Sequence, residues 1–230
     1  MTAPFSPASL EPETDAPLIL ALPKGRILKE CGPLLARAGI VPAADYADES
    51  SRRMRFETND PMLDVIRVRS FDVATFVAFG AAQIGICGAD VLMEFDYPEV
   101  YAPLDLGIGA CRISVAEPME TAGTDDPQRW SRVRVASKYP NIARRHYAGR
   151  GIQAEIVHLN GAMELAPGLG LSRVIVDLVQ TGSTLRANGL VETETIAQVT
   201  SRLIVNRTAL KTRPEAVGAI VARLRAALAE

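Results

Sequence analysis

Cysteine and histidine are scarce in this chain, and neither sign of charge dominates it. The three cysteines, Cys31, Cys87 and Cys111, are odd in number and far apart, which fits neither a disulfide framework nor the close pairs of a zinc site. They read as buried, reduced thiols of a cytosolic protein. The two histidines, His146 in a basic amphipathic stretch and His158 in a strand candidate, read as structural or surface residues rather than as acid, base or ligand. With 25 basic against 27 acidic side chains the net charge is −2, which gives no electrostatic reason to expect nucleic-acid or anionic-membrane binding. No stretch approaches the roughly 20 uncharged apolar residues that span a bilayer. Residues 1–17 carry four prolines and three acidic residues but no basic or apolar segment, so they read as a disordered leader and not as a signal peptide. A soluble, cytoplasmic protein is expected.

What is present is a good core-forming composition. Apolar residues make up 48% of 230 positions, enough for one large domain or two small ones. The apolar run 18–22 is followed by Pro23-Lys24-Gly25-Arg26 and then by Ile27, Leu28, Cys31, Leu34, Leu35 and Ala38 at helical spacing, which predicts strand, loop and helix. Gly32-Pro33 should weaken or kink that helix, and Gly39 should end it. A polar segment containing Ser51, Arg52 and Arg53 precedes a strand at 63–68 and a helix at 70–82 capped by Ser70 or Asp72. Residues 83–87 read as a buried strand whose Gly85 suggests close packing. Further strands are expected at 112–116, 133–136, 155–159 and 174–178, with helices at 141–148 and after Thr181. Two β segments follow over 191–207, and a helix over 214–228 buries Val217, Ile220, Val221, Leu224 and Leu228 on one face. The alternation predicts α/β layers with largely parallel sheets, arranged as two α/β lobes around a central crevice. The expected lobes are 18–104 plus 191–230 and, between them, 105–190. The stretch 117–130 is the most linker-like interior segment.

The chemistry concentrates in one segment. Residues 173–185 place an apolar strand ahead of Asp177, then the turn Thr181-Gly182-Ser183-Thr184, then a helix. Free backbone N–H groups at a helix start, with hydroxyls beside them, suit a phosphate dianion. Gly182 lets the backbone come close. Asp177 could accept from two vicinal ribose hydroxyls and share a magnesium ion with the ligand. Taken alone, the turn is equally an ordinary Ser/Thr cap. No Walker A pattern exists. Gly149-Arg150-Gly151-Ile152-Gln153-Ala154 matches a dinucleotide fingerprint by letter, but it follows a helix and precedes a strand, the reverse of the order that motif needs.

The string 177–190 resembles the phosphoribosyl-pyrophosphate loop of ATP phosphoribosyltransferases. Segments 20–28, 51–52, 69–73, 85–92, 104–107, 138–141, 159–167 and 201–206 are similar to that family in its order, so the likeness runs from about Leu18 to Lys211. Departures are Ala74 and Phe76 where the family usually has proline and tyrosine, Gln83 for an acidic residue, and Ser172-Arg173-Val174 for Ala-Asp-Ala. The resemblance implies a fold like the type II periplasmic binding proteins and transfer of phosphoribosyl to N1 of ATP, the first step of histidine biosynthesis. It also implies a catalytic homodimer that joins a histidyl-tRNA-synthetase-like regulatory subunit in a hetero-octamer, since the chain ends after its terminal helix, as the short form does. In that reading Glu164 and Asp177 face the ribose hydroxyls of phosphoribosyl pyrophosphate, and Thr181, Gly182, Ser183 and Thr184 hold its phosphate. Lys24, Arg26, Arg53 and Asp72 serve ATP. Mg2+ assists, reaching Asp177 through the ligand.

Attack by adenine N1 on the anomeric carbon builds positive charge on ribose and negative charge on departing pyrophosphate. Arg26 and Arg52, whose guanidinium groups fork onto phosphate oxygens, are the expected catalytic cations, with Arg26 in position to serve the neighbouring subunit. The rival readings are a non-catalytic small-anion binder of the same shape and a phosphoribosyltransferase for another base. Removing such an electrostatic stabiliser costs roughly 3–4 kcal/mol of barrier. Arg52→Ala is therefore expected to lose far more kcat than stability, and unchanged turnover would take Arg52 out of the mechanism.

Overall fold

The computed structural model describes residues 16–48, 50–124 and 130–229. The expected leader lies outside the described residues except for its last two, as does part of the linker-like stretch, 125–129.

The first lobe opens as the sequence predicts. Strand β1 (Leu18–Pro23) leads through Lys24 and Gly25 into helix α1 (Arg26–Arg37). The helix continues through Pro33, because Leu28, Cys31, Leu34 and Leu35 all bury on one face and that burial outweighs one missing N–H bond. Gly39, at φ +66°, turns the chain out of the helix. A short 3-10 turn (Ala44–Tyr46) and an irregular loop then precede β2 (Arg55–Glu57) and β3 (Leu63–Val68). Helix α2 (Ser70–Ala78) is shorter than the expected 70–82, and Gly80, at φ +75°, follows its end. Neither Ser70 nor Asp72 caps it. Arg69 holds the cap position without a side-chain bond, since Ser70 is already helical and Asp72 lies in the first turn.

Strand β4 (Ile84–Gly88) packs closely under α2, as Gly85 suggested. A Cβ there would come within 2.8 Å of Val73 Cγ1 and 2.9 Å of Val77 Cγ2. Helix α3 (Ala89–Phe95) and β5 (Val100–Asp105) complete this run. The second lobe contains β6 (Cys111–Pro118), β7 (Arg132–Ser137), α4 (Pro140–Ala148), β8 (Gln153–His158), α5 (Leu165–Gly168), β9 (Val174–Val179), α6 (Ser183–Ala187) and β10 (Leu190–Val199). The chain then returns to the first lobe through β11 (Ser201–Asn206), α7 (Arg207–Thr212) and α8 (Pro214–Ala229).

The first sheet has the order β2-β3-β1-β4-β11-β5 and the second β10-β6-β9-β7-β8. Two expectations are corrected here. The sheets are mixed rather than largely parallel: β1 runs parallel to β3 and β4, but β11 is antiparallel to β4 and β5, and β6 is antiparallel to β9 and β10. Helical crossovers return a strand parallel, whereas the links between lobes, at 106–110 and Thr200, carry no helix. The second lobe also extends beyond 190. Residues 190–199 pair with β6, from Leu190 opposite Pro118 to Val199 opposite Cys111, so the return falls at Thr200 and not at 191. Alternating residues announced a strand there but not its partner.

Each lobe has its own core. Leu20, Leu22, Leu34, Val65, Ile84 and Leu224 are among the buried residues of the first, and Ile113, Val135, Tyr139, Ile142, Val174 and Val176 of the second. Cys31 and Cys87 are buried free thiols, and burial pushes Cys31 up to about 12. Cys111 is only half-buried, because it starts β6 at the junction of the lobes.

The lobes meet along α3. Glu94, 3% exposed, accepts hydrogen bonds from the backbone N–H groups of Asn141 at 2.9 Å and Ile142 at 3.0 Å, so a first-lobe carboxylate closes the N-terminus of second-lobe helix α4. Asn141 Nδ2 returns a bond to the Glu94 carbonyl at 3.1 Å. One turn earlier Asp90 Oδ2 accepts from the buried Tyr139 hydroxyl at 2.7 Å. Phe71 of α2 stacks obliquely on Tyr139, ring centres 5.3 Å apart, and the Lys138 ammonium sits 4.0 Å from the Phe71 ring centre. Glu94→Ala leaves two α4 N–H groups without their charged acceptor and is expected to cost about 2–3 kcal/mol. A urea-unfolding midpoint equal to that of the parent protein would contradict this.

Candidate active site

Between the lobes lies a cavity of about 720 Å³, within the range of roughly 300–1,000 Å³ common for small-molecule sites. Lys24, Arg69 and Asp72 line it from the first lobe, and Lys138, Asn141, His158 and Asn160 from the second. Lys24 is exposed at the end of β1, with its backbone N–H tied to the Val68 carbonyl at 2.8 Å. Asp72 projects from the first turn of α2. A neighbouring cavity of about 490 Å³ shares Lys24, Arg69 and Asp72 with the first and reaches Met54, Arg55 and Arg67. The two cavities adjoin along this shared wall and together form a trough, lined by charged and apolar residues, from the lobe junction to Met54 and Arg55.

The second-lobe candidates lie on and after β9 and just ahead of α5. Asp177 is half-buried near the end of β9, where its Oδ1 accepts from the Leu178 N–H at 2.8 Å. Burial is the main cause that pushes its carboxyl up to about 6, and the charges of Glu164 and Asp90 add to that effect. The Leu178 N–H and the Lys138 ammonium oppose it. Glu164 stands immediately ahead of α5, close enough for that charge to be felt. The turn at 181–184 is open to solvent: Thr181, Ser183 and Thr184 are exposed, and Gly182 adopts φ +70° at the start of α6. Thr181 Oγ1 lies 3.0 Å from Ser183 Oγ and 3.4 Å from its N–H, so the two hydroxyls face each other across the turn. Helix α6 has five residues, so open amides and hydroxyls, rather than a long helix dipole, are what this turn offers an anion.

The arginines fall into three situations. Arg26 opens α1 at the lobe junction, with Nη2 3.5 Å from the Gly109 carbonyl, Nε 3.7 Å from Glu30, and Cys111 close enough to feel its charge. Arg53 is drawn onto Asp45 at 3.0 Å and over the Phe56 ring at 5.4 Å. Arg52 is exposed, forms no ion pair among the described residues, and does not line either cavity. The fold thus sets Glu164, Asp177 and 181–184 in one lobe and Lys24 and Asp72 in the crevice wall, while neither Arg52 nor Arg53 lines either cavity. Among the described residues, no group of three or more His, Cys, Asp or Glu side chains could hold a metal ion. No helix among them is long and apolar enough to cross a membrane.

Sequence reasoning assigned no role to Arg69, Lys138, Asn160 or His158 in the crevice, nor to Asp90 and Glu94 at its base. Lys138 and Asn141 were signalled only as part of the Lys138-Tyr139-Pro140-Asn141 segment, since a tyrosine and a proline at a helix start do not announce what the neighbours face. His158 is exposed at the end of β8 and lines the crevice, while the Nε2 of His146 lies 3.2 Å from Glu194.

Comparison with known proteins gives a consistent picture. The HisG family model, described as ATP phosphoribosyltransferase, matches residues 69–226. An ATP phosphoribosyltransferase of Gluconobacter oxydans is 71% identical over 221 residues, covering 96% of this chain and 91% of that protein. One from Paramagnetospirillum magneticum is 68% identical over 198 residues, covering 86% and 90%. A solved chain from the ATP phosphoribosyl transferase (HisG:HisZ) complex of Thermotoga maritima superposes with a TM-score of 0.77 at 32% identity, covering 92% of this chain and 98% of that one.

Asp177 gives the site a pH signature. Its folded-state pKa of about 6 lies above the roughly 3.9 of an unfolded aspartate, so the folded form holds the extra proton between those values and stability falls as pH rises through that window. Asp177→Asn should therefore raise the melting temperature at pH 8, with the difference shrinking towards zero at pH 4. A difference independent of pH would show that this carboxyl carries no such penalty.

Proposed function

The chain belongs to the ATP phosphoribosyltransferase family, and from that premise we propose how its residues divide the reaction. The enzyme catalyses the first step of histidine biosynthesis, in which phosphoribosyl pyrophosphate and ATP give phosphoribosyl-ATP and pyrophosphate. The lone pair of adenine N1 forms the new bond to the anomeric carbon as the bond to pyrophosphate oxygen breaks, and that electron pair leaves with pyrophosphate.

Glu164 and Asp177 accept from the ribose hydroxyls, and their negative charge lies where the sugar turns positive. The observation that carries this reading is the exposed turn 181–184 beside a half-buried carboxylate pair. The amides and hydroxyls of Thr181, Gly182, Ser183 and Thr184 seat the 5′-phosphate, and Gly182 at φ +70° leaves room for it. Lys24 and Asp72 bind ATP in the shared trough, with Arg53 a weaker contact because Asp45 already holds it. Arg26 and Arg52 neutralise pyrophosphate, Arg26 in the site of the neighbouring subunit of a catalytic homodimer.

The donor set suits Mg2+ of the kind bound through one or two carboxylates and substrate phosphates, rather than an all-protein cage. The paired carboxylates at 164 and 177, one of them raised by burial, would be relieved by such a cation. When bound with the substrate, Mg2+ neutralises charge on the departing pyrophosphate. A simple anion-binding protein is disfavoured on the same ground, since two carboxylates beside the phosphate turn would repel an anion that arrives without a cation. The Thermotoga maritima chain was solved as part of a HisG:HisZ complex. A HisZ-like regulatory subunit, related to histidyl-tRNA synthetase and completing a hetero-octamer, is the matching partner for this chain. A cytoplasmic location fits its substrates.

Purified protein mixed with ATP, phosphoribosyl pyrophosphate and Mg2+, with and without the regulatory partner, should form phosphoribosyl-ATP, read by its ultraviolet absorbance. Asp177→Asn should lower kcat by about 10²–10³-fold while the fold is kept. Equal turnover of parent and variant would remove Asp177 from the ribose site, and no product in either arm would overturn the proposal.

A further inference from the structure

Arg67 of β3 is 2% exposed, and no carboxylate among the described residues forms an ion pair with it. Its Nη1 donates to the carbonyls of Tyr46 at 2.7 Å and Asp48 at 2.8 Å, and its Nη2 to those of Ser51 at 3.1 Å and Arg53 at 3.3 Å. The flat face of the guanidinium lies 4.7 Å from the Phe56 ring centre. None of the described residues between 47 and 54 belongs to a helix or strand, so the loop's carbonyls must find acceptable donors elsewhere. Four from this stretch and its edge find one side chain. The Ser51 and Arg53 carbonyls lie on either side of the Arg52 backbone, so a single nitrogen pins both flanks of that residue. Arg53 pairs with Asp45, and among the described residues no ion pair is formed by Arg52.

We infer that Arg67 is a positioning residue for phosphoribosyl transfer: it holds the 51–53 backbone so that the Arg52 guanidinium is presented towards the trough and the pyrophosphate within it. This inference rests on the role given to Arg52 above. Arg67 itself lines the outer cavity from beneath, with its four terminal N–H bonds spent on the loop. The site is specific to a planar fork. A lysine keeps the charge but has three donors on one nitrogen, and cannot reach carbonyls that are divided between two nitrogens.

The test is a double-mutant cycle in the holoenzyme assay, with Arg52→Ala, Arg67→Lys and the double variant, reading kcat, both KM values and melting temperature. A small displacement of a catalytic group can cost about 100-fold, so Arg67→Lys should lower kcat about 10- to 100-fold with KM for ATP changed less than about 3-fold. In the Arg52→Ala background the same substitution should cost less than about 2-fold. A loss from Arg67→Lys that is as large without Arg52 as with it, or no loss at all, overturns the inference while leaving Arg52 in place. Full activity of Arg52→Ala instead overturns the reading of Arg52, and this inference with it. If Arg67→Lys unfolds at the assay temperature, Arg67→Gln replaces it in the cycle. Amide hydrogen exchange at 50–54 then gives an activity-independent readout: faster exchange confined to that loop is expected, and unchanged protection overturns the inference.

Discussion

A buried glutamate from one lobe closing a helix of the other is the contact on which the crevice depends. Glu94 places its charge on the open amides of α4, and Asp90, four residues earlier on the same face of α3, takes the Tyr139 hydroxyl. Burying a carboxylate is unfavourable unless its lone pairs are filled, and here the fillers come from the opposite lobe. The partners are positioned by two different cores, so the bonds exist only when both lobes have folded and met. The walls of the crevice, from Lys24 and Asp72 on one side to Lys138 and Asn160 on the other, inherit their spacing from that joint.

Charge is unevenly arranged across this frame. Basic groups, Lys24, Arg69 and Lys138, line the trough, whereas the carboxylates at 164 and 177 belong to the second lobe, within electrostatic reach of each other. Asp177 is strained by its surroundings in the protonation sense: burial and like charge raise its pKa, and Lys138 opposes that rise from the crevice wall. In the site we propose, a carboxylate kept at this cost to the unliganded protein gains most when the transferred sugar turns positive beside it. A related balance recurs at Arg67, where four carbonyl dipoles offset a buried charge and Asp48 lies close enough to feel it.

Much of the architecture was legible in residue order. The 18–22 run, the helical spacing after Ile27, the buried face of α8 and the close approach at Gly85 all follow from periodicity and residue size, which are local properties. That a turn at 181–182 leads from a strand into a helix was legible too, because a glycine between hydroxyl residues follows an apolar run. Short elements such as β2, β5, α3 and α7 carried too few periods to announce themselves. Strand β10 was recognised as a strand yet given to the wrong lobe, since alternation names a face and not a partner. Lys138 and Glu94 went unassigned for the same reason, each having its meaning only opposite a residue about 45 to 70 positions away in the chain.

The sequence carried the family, through motif strings that resemble it in order, and the two-lobed α/β class, because these rest on stretches of neighbouring residues. The direction of half the strands, the point at which the chain recrosses between lobes, and the pairing of α3 carboxylates with α4 amides were decided only by tertiary structure. So was the distribution of the arginines. In the chain Arg52 and Arg53 are equivalent neighbours, and they part only because Asp45 lies within 3.0 Å of one of them. Arg67, an unremarked residue in a strand, becomes the anchor of their loop because folding removes water from its guanidinium and leaves four carbonyls as its solvent.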